Sequence, residues 1–142
     1  MALAAAQVID ALAARLVPLA ATGGRVYTSR AWPLTDASLP AWLVTAGLET
    51  VERAYVEDTT GTHTLRINCR GVAKATADLD DVLHGLAVGA LPLLFAAPVP
   101  YDLELIQIDR QVTQDGESAL GSITLTLQAQ FGMLPTAPET LT

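Results

Sequence analysis

The chain has 142 residues and a net charge of −7, and hydrophobic residues make up 51% of it. A single domain of this length buries roughly 68–70% of its unfolded surface. Because aromatic residues are only 5% of the chain, the core must consist mainly of Leu, Val, Ile and Ala. The excess of acidic over basic residues, 15 against 8, argues against a protein that grips nucleic-acid phosphates. Charged residues are 16% of the chain, below the roughly 25% of an average soluble domain. This low fraction favours a subunit that buries part of its surface against other subunits of an oligomer.

Neither a membrane span nor a signal peptide is predicted. The longest apolar stretch, residues 86–100, is interrupted by one glycine and three prolines and falls short of the roughly 20 residues that a bilayer requires. The apolar N-terminus lacks a preceding basic region and contains Asp10 and Arg15. We therefore expect the protein to stay in the compartment where it is made.

The first predicted element is an amphipathic helix over residues 3–20, in which apolar residues recur at spacings of four and three. The Thr22-Gly23-Gly24 sequence ends it. A short strand is predicted over residues 25–28, followed by a loop from Ser29 to Pro40.

A β-hairpin follows. Residues 41–46 have the composition of a buried strand, which could extend outward through residues 49–56. The sequence Asp58 to Gly61 is typical of a turn, and residues 62–72 return as a strand. Leu65, Ile67 and Cys69 form its inner side, and the side chains between them point outward.

The second predicted helix is capped by Thr76 or Asp78, with Asp80 and Asp81 in its first turn, where the helix dipole favours acids. Pro92 or the later prolines are expected to end it.

The last predicted unit is a second hairpin, with strands over residues 101–113 and 118–131 and a turn at 114–117. Apolar and polar residues alternate without a break from Ile123 to Phe131, so one side of this strand must lie on the core. The other side, formed by Thr124, Thr126, Gln128 and Gln130, is polar but carries no charge. Such a side suits subunit contacts or the lining of a passage.

These elements predict an α+β fold with a mainly antiparallel or mixed sheet of two hairpins plus a short strand, and with two helices packed on one face. We expect a single domain over residues 1–132 and a flexible tail over 133–142. The predicted core residues are Val8, Leu12, Leu16, Leu43, Leu65, Ile67, Leu83, Leu86, Ile123, Leu125 and Leu127.

No catalytic motif is recognisable. His63 and His84 have no second ligand at metal spacing, and the acids at the start of the second helix have a complete explanation as capping and dipole residues. Cys69 lies in register with the inner side of its strand and is expected to be a buried structural thiol. The sequence predicts no enzyme, no cofactor and no metal.

Four segments in order carry a resemblance to a known family: Val-Ile-Asp-Ala-Leu at 8–12, Gly-Arg-Val-Tyr at 24–27, Leu-Pro-Ala-Trp-Leu-Val at 39–44 and Asp-Leu-Asp-Asp-Val at 78–82. A polar hairpin precedes the last of them, and two closing strands with a polar, acid-containing turn follow it. From about residue 5 to 131 the chain resembles the tail terminator family (tail completion, minor tail protein U) of long-tailed bacteriophages, which includes related prophage and gene-transfer-agent particles.

The resemblance implies a structural virion protein, assembled in the host cytoplasm, that forms a hexameric ring at the head-proximal end of the tail. The ring would cap the tail tube protein, stop its polymerisation and offer a surface to the head-completion or connector protein, while DNA passes without specific binding. Neck and head–tail connector proteins of the same virions are an alternative. A small oligomeric ligand-binding domain is an alternative of another class.

Subunit or partner contacts are expected on the protruding loops and on the outer side of the sheet. Trp32 either anchors a neighbour or folds back over its own sheet. We expect Arg66 and Arg70 to lie away from any DNA channel, where they could pair with acids of a neighbouring subunit. The residues predicted at contacts are Arg30, Trp32, Thr60, Arg66, Arg70, Thr124, Thr126 and Gln128.

Overall fold

The computed structural model describes residues 4–19, 22–28, 40–53, 61–75, 78–96, 101–115, 118–134 and 137–141. Its elements are α1 (Ala4–Leu16), β1 (Val26–Thr28), β2 (Ala41–Glu52), β3 (Thr62–Ala75), α2 (Leu79–Leu94), β4 (Asp102–Asp115), β5 (Ser118–Leu134) and β6 (Ala137–Leu141).

The strands form one mixed sheet in the order β1-β2-β3-β5-β4. The two predicted hairpins are present, β2 with β3 and β4 with β5, and both are antiparallel. β3 and β5 join the hairpins by antiparallel pairing along the length of β3. β1 adds to β2 in parallel. The predicted α+β class and its two hairpins are confirmed.

Both helices pack on the same face of the sheet and contact each other. α1 lies over β1 and β2, and α2 lies over β3 and β5. Arg15 of α1 donates a hydrogen bond to the Leu94 carbonyl at the end of α2, at 2.8 Å, which ties the two helix C-termini together. The core fills the space between helices and sheet. Its largest fully buried side chains are Trp42, Leu12, Leu16, Leu65, Ile67, Leu83, Leu86, Leu94, Ile123, Leu125, Leu127 and Val8.

One predicted core residue is placed wrongly. Leu43 is only half-buried and lies on the side of the sheet away from the helices, whereas its neighbours Trp42 and Val44 are fully buried in the core. The reason is that residues 41–44 are all apolar. A strand buries alternate side chains, and an unbroken apolar run does not reveal which set is buried.

The start of α2 differs from the prediction. Asp78 precedes the helix, but its backbone is left-handed (φ 57°) and its side chain makes no capping hydrogen bond. The first turn is closed instead by the Val82 amide, which donates to the Asp78 carbonyl at 3.0 Å. At the other end the helix continues past Pro92 to Leu94. Proline removes only one backbone donor, and the packing around the last turn is enough to hold it.

The interpretation of residues 133–142 as a loose tail missed a strand. β5 continues to Leu134, and β6 turns back to pair with it antiparallel. β6 also approaches α1. The segment has no alternation of apolar and polar residues, so its sequence does not predict a strand. Its backbone pairing with β5 defines it as one.

Two irregularities lie at the same height of the sheet. β2 has a bulge between Ala46 and Glu49, opposite Ile67 of β3, and β4 has one between Leu105 and Gln107, opposite Leu127 of β5. Ile67 and Leu127 are themselves partners across β3 and β5. A bulge shifts the alternation of the strand that carries it by one residue, and this shift decides which β4 side chains reach the candidate site.

Candidate functional site: the open face of the sheet

The side of the sheet opposite the helices, here called the open face, is built from rows of side chains that cross β3, β5 and β4. Partners on neighbouring strands point to the same side of a sheet. The register gives rows of side chains on this face, three of which are Arg70–Thr124–Asp109, Asn68–Thr126–Gln107 and Arg66–Gln128–Glu104. The first two rows continue onto β2 as Leu43 and Thr45.

The middle of each row belongs to β5 and carries no charge. Thr124, Thr126 and Gln128 are half-buried, and the Thr126 hydroxyl donates to the Asn68 side-chain oxygen at 3.5 Å. The opposite side of the same strand, from Ile123 to Phe131, is buried in the core, as the alternation predicts. The placement of the uncharged side of β5 away from the core is therefore confirmed.

The basic residues of the rows are Arg66 and Arg70 on β3, and both side chains are exposed. Within the described part of the chain they are the basic residues without an intramolecular hydrogen bond or ion pair. By contrast, Arg25 donates to the Pro40 carbonyl at 2.9 Å, and Arg110 donates to His84 at 3.0 Å. Two cations without partners on one strand, four residues and thus about 13 Å apart, favour a contact with another molecule.

The acidic end of the rows was missed by sequence reasoning. Glu104 and Asp109 are exposed on β4 and lie in the rows of Arg66 and Arg70. They are five positions apart in the chain, so in a regular strand they would point to opposite sides. The bulge at Ile106 absorbs the odd residue and brings both acids to the open face. The available signal was the Leu105-Ile106 pair, where the alternation of β4 changes phase.

Three predicted contact residues, Arg30, Trp32 and Thr60, lie outside the described residues. The structure brings the other five, Arg66, Arg70, Thr124, Thr126 and Gln128, together on one face. The interface role of all eight stays a prediction.

A buried histidine, His63, lies on the helix side of the sheet. It is 3% exposed, its Nδ1 lies 3.1 Å from a Glu49 carboxylate oxygen, and its ring stacks on Phe131 with centroids 5.4 Å apart. Its Nε2 is buried without a hydrogen-bond partner among the described residues. The Glu49 carboxylate and the Phe131 ring thereby fix the orientation of the buried His63 ring.

Cys69 is fully buried in the core, as expected, and burial raises the pKa of its thiol to about 12. A thiol that stays protonated at neutral pH is a poor nucleophile and a poor metal ligand. Among the residues with described side chains, no three His, Cys, Asp or Glu residues are grouped so that they could hold a metal ion.

Two concave regions bordered by described residues are partly open to solvent. A cleft of about 280 Å³ lies on the open face beside Asp102, Glu104 and Gln130. Another of about 420 Å³ lies between α1 and the start of β2 and is lined mostly by apolar atoms, including those of Ile9 and Val44. The first cleft is lined mainly by the polar side chains of Asp102, Glu104, Gln128 and Gln130, whereas the second offers few polar groups to a ligand.

Within the described ranges, no helix is both long and apolar enough to cross a bilayer.

No family model matches the chain, and no curated protein matches it. Among solved structures, the chain is similar to a protein from the "Virion of native gene transfer agent (GTA) particle", with 18% sequence identity and a TM-score of 0.48 over 91% of this chain and 92% of that one. At this identity and TM-score the similarity assigns no function to the present chain.

Proposed function

We propose that this chain is a structural protein of a phage or phage-like virion, which caps the end of the tail tube as a ring, stops tube polymerisation and provides the surface for head joining. It is proposed to be no enzyme and to need no cofactor. Its partners are further copies of itself, the tail tube protein and a head-completion protein. The ring of six is what the sequence resemblance to tail terminators implies.

The observation that supports this proposal is the open face. It is a sheet surface with half-buried, uncharged side chains along its centre and with two exposed arginines that have no partner in the described part of the chain. Single-subunit enzymes bring polar groups together in a concave pocket, whereas this surface distributes them over rows. Interfaces between proteins are enriched in arginine and include many polar side chains, as this surface does.

The open face serves in this proposal as a protein contact and not as the wall of a DNA channel. Thr124 and Gln128 alone would suit either role, but the register places Arg70 and Arg66 directly beside them. A channel wall with free guanidinium groups would bind phosphates and hinder sliding. Assigning the face to protein contacts is consistent with the prediction that both arginines lie away from the passage.

The test is to remove the gene from a particle-producing strain and to examine tails and heads by negative-stain electron microscopy. Loss of the capping ring should give tails of irregular length and heads without tails, and the wild-type gene should restore both. Tails of normal length beside unjoined heads would contradict tube capping and favour the connector alternative. Normal, infectious or gene-transferring particles would end the proposal.

A matched pair of variants separates the open face from a general loss of protein. Arg66→Glu combined with Arg70→Glu should fail to restore normal tails. The control is Arg110→Glu, which changes an exposed residue of β4 whose side chain lies on the helix side and bonds to His84. Equal restoration by both variants would show that the open face is not the assembly surface.

A further inference from the structure

We infer that the open face is self-complementary and binds the open face of a second copy of this chain, about a two-fold axis that runs along β5. The dimer itself does not depend on the ring proposed above. The inference comes from the order of charges across three neighbouring strands: basic β3, uncharged β5 and acidic β4.

A two-fold axis parallel to β5 places β3 of one copy over β4 of the other. Each residue keeps its position along the strand direction, so each row of one copy faces the same row of the other. Arg70 then meets Asp109 of the second copy, and Arg66 meets its Glu104, because each of these pairs shares a row. The two-fold axis repeats both contacts, which gives four charge pairs in all. In the middle row, Asn68 meets the amide of Gln107.

The uncharged side of β5 has its explanation in this symmetry. A residue on a two-fold axis faces its own copy, so a charge there would meet a like charge. Thr124, Thr126 and Gln128 avoid this, because hydroxyl and amide groups both donate and accept hydrogen bonds and can pair with themselves. An axis along β3 would instead place the arginines of one copy over those of the other.

The β4 bulge is required for this match. Without the extra residue Ile106, only one of Glu104 and Asp109 would reach the open face. With it, both acids stand at the heights of the two arginines. The bulge thereby gives the face two complementary rows.

The expected dimer is modest in strength and sensitive to salt. Three strands spaced about 4.8 Å apart, over about eight residues at 3.3 Å each, give roughly 400 Å² per copy. The total of roughly 800 Å² is below the usual size of stable interfaces and corresponds to a weak, transient dimer. Ion pairs at the sides of such an interface weaken as salt screens them.

Sedimentation velocity over a range of protein concentrations tests the inference. The wild-type chain should show a monomer–dimer equilibrium that added salt weakens. Arg70→Glu and Asp109→Arg should each weaken it about tenfold or more, equivalent to about 1.4 kcal/mol. Combining the two substitutions should restore the affinity to within about threefold, because the pair is re-formed with reversed charges.

The matched control is Arg110→Glu, with the same change of net charge as Arg70→Glu but on the helix side of β4. It should leave the dimer unchanged. A wild-type chain that stays monomeric at all concentrations overturns the inference, as does equal weakening by Arg70→Glu and Arg110→Glu or a failure of the combined variant to recover. The inference would also be overturned if the monomer bound duplex DNA in a salt-sensitive way and Arg70→Glu abolished that binding. The open face would then be a nucleic-acid-binding surface.

A crosslinking experiment tests the position of the axis. Thr126 lies in the middle row on β5, so a cysteine introduced there faces its own copy across roughly 10 Å between packed sheets. A bis-maleimide of matching length should join Thr126→Cys into a covalent dimer, and Asp80→Cys on exposed α2 should not crosslink. The native Cys69 adds no background because it is buried. Efficient crosslinking of Asp80→Cys together with failure of Thr126→Cys would place any dimer elsewhere.

If the same face contacts partners in the virion, the dimer is a storage form that must open before assembly, a consequence that rests on the proposed function. The two proposals fail separately. If the purified chain is always monomeric but the tails are capped normally, only the dimer is overturned. If the chain dimerises but tails form normally without the gene, only the capping role is overturned.

Discussion

The two sides of β5 show how one strand serves two purposes. From Ile123 to Phe131 every second residue is buried against the helices, and the residues between them lie on a face that no described helix covers. The core side obtains its stability from close packing of apolar groups. The open side contributes little to folding and carries the charge pattern that we assign to a second copy. Substitutions on the two sides should therefore separate stability from assembly.

The largest effect on stability is expected from Leu125→Ala, because Leu125 is fully buried in the centre of the core. Removing its side chain leaves a cavity and should lower the free energy of unfolding by roughly 2–5 kcal/mol. Thr126→Ala, one residue further along on the open side, should lower it by less than about 0.5 kcal/mol. Urea denaturation of both variants measures the difference, and similar losses would show that the two sides of β5 are not energetically distinct.

A smaller loss is expected from Gly71→Ala on β3. An added Cβ would lie 3.1 Å from Cη2 and 3.2 Å from Cζ2 of Trp42, whose rigid ring is fully buried. The resulting overpacking should cost about 1–3 kcal/mol. The preceding residue gives the control, since Arg70→Ala removes an exposed side chain from the open face. Equal denaturation midpoints for the two variants would mean that the Trp42 ring moves aside freely.

Next in size is the effect of Glu49→Ala. His63 would lose the partner of its Nδ1 while staying buried. The cost should be about 1 kcal/mol, at the lower end for an unsatisfied buried group, because the Glu49 side chain is 25% exposed and water can enter. Thr50→Ala, at the exposed next position, is the matched control. Thermal or urea unfolding that does not distinguish the two variants would show that the contact is unimportant for stability.

The smallest effect on stability is expected from the combined Arg66→Ala and Arg70→Ala variant. Neither side chain has an intramolecular partner in the described part of the chain, so the free energy of unfolding should change by less than about 0.5 kcal/mol. The same variant should lose most of its self-association, measured by sedimentation. A large loss of stability with unchanged association would reverse the roles that we assign to the two sides.

The sequence predicted those elements whose own pattern repeats clearly. The alternation from Ile123 to Phe131 fixed the core side of β5, and the turn sequences gave both hairpins. The apolar spacing of residues 8–16 gave α1 and its buried side. These features depend on residues close together in the chain, so local periodicity is enough to predict them.

The tertiary structure decided what depends on pairing between distant segments. The run of apolar residues from Ala41 to Val44 has no alternation, and only its packing against α1 and β3 shows that Trp42 and not Leu43 is buried. β6 is a strand because its backbone pairs with β5. The same holds for the candidate site: Arg70 and Asp109 are 39 positions apart in the chain, and they share a row because β5 pairs with both of their strands and a bulge corrects the phase of β4. Side-chain type is local information, whereas the register that assembles these charges into one face is set by hydrogen bonding between strands far apart in the sequence.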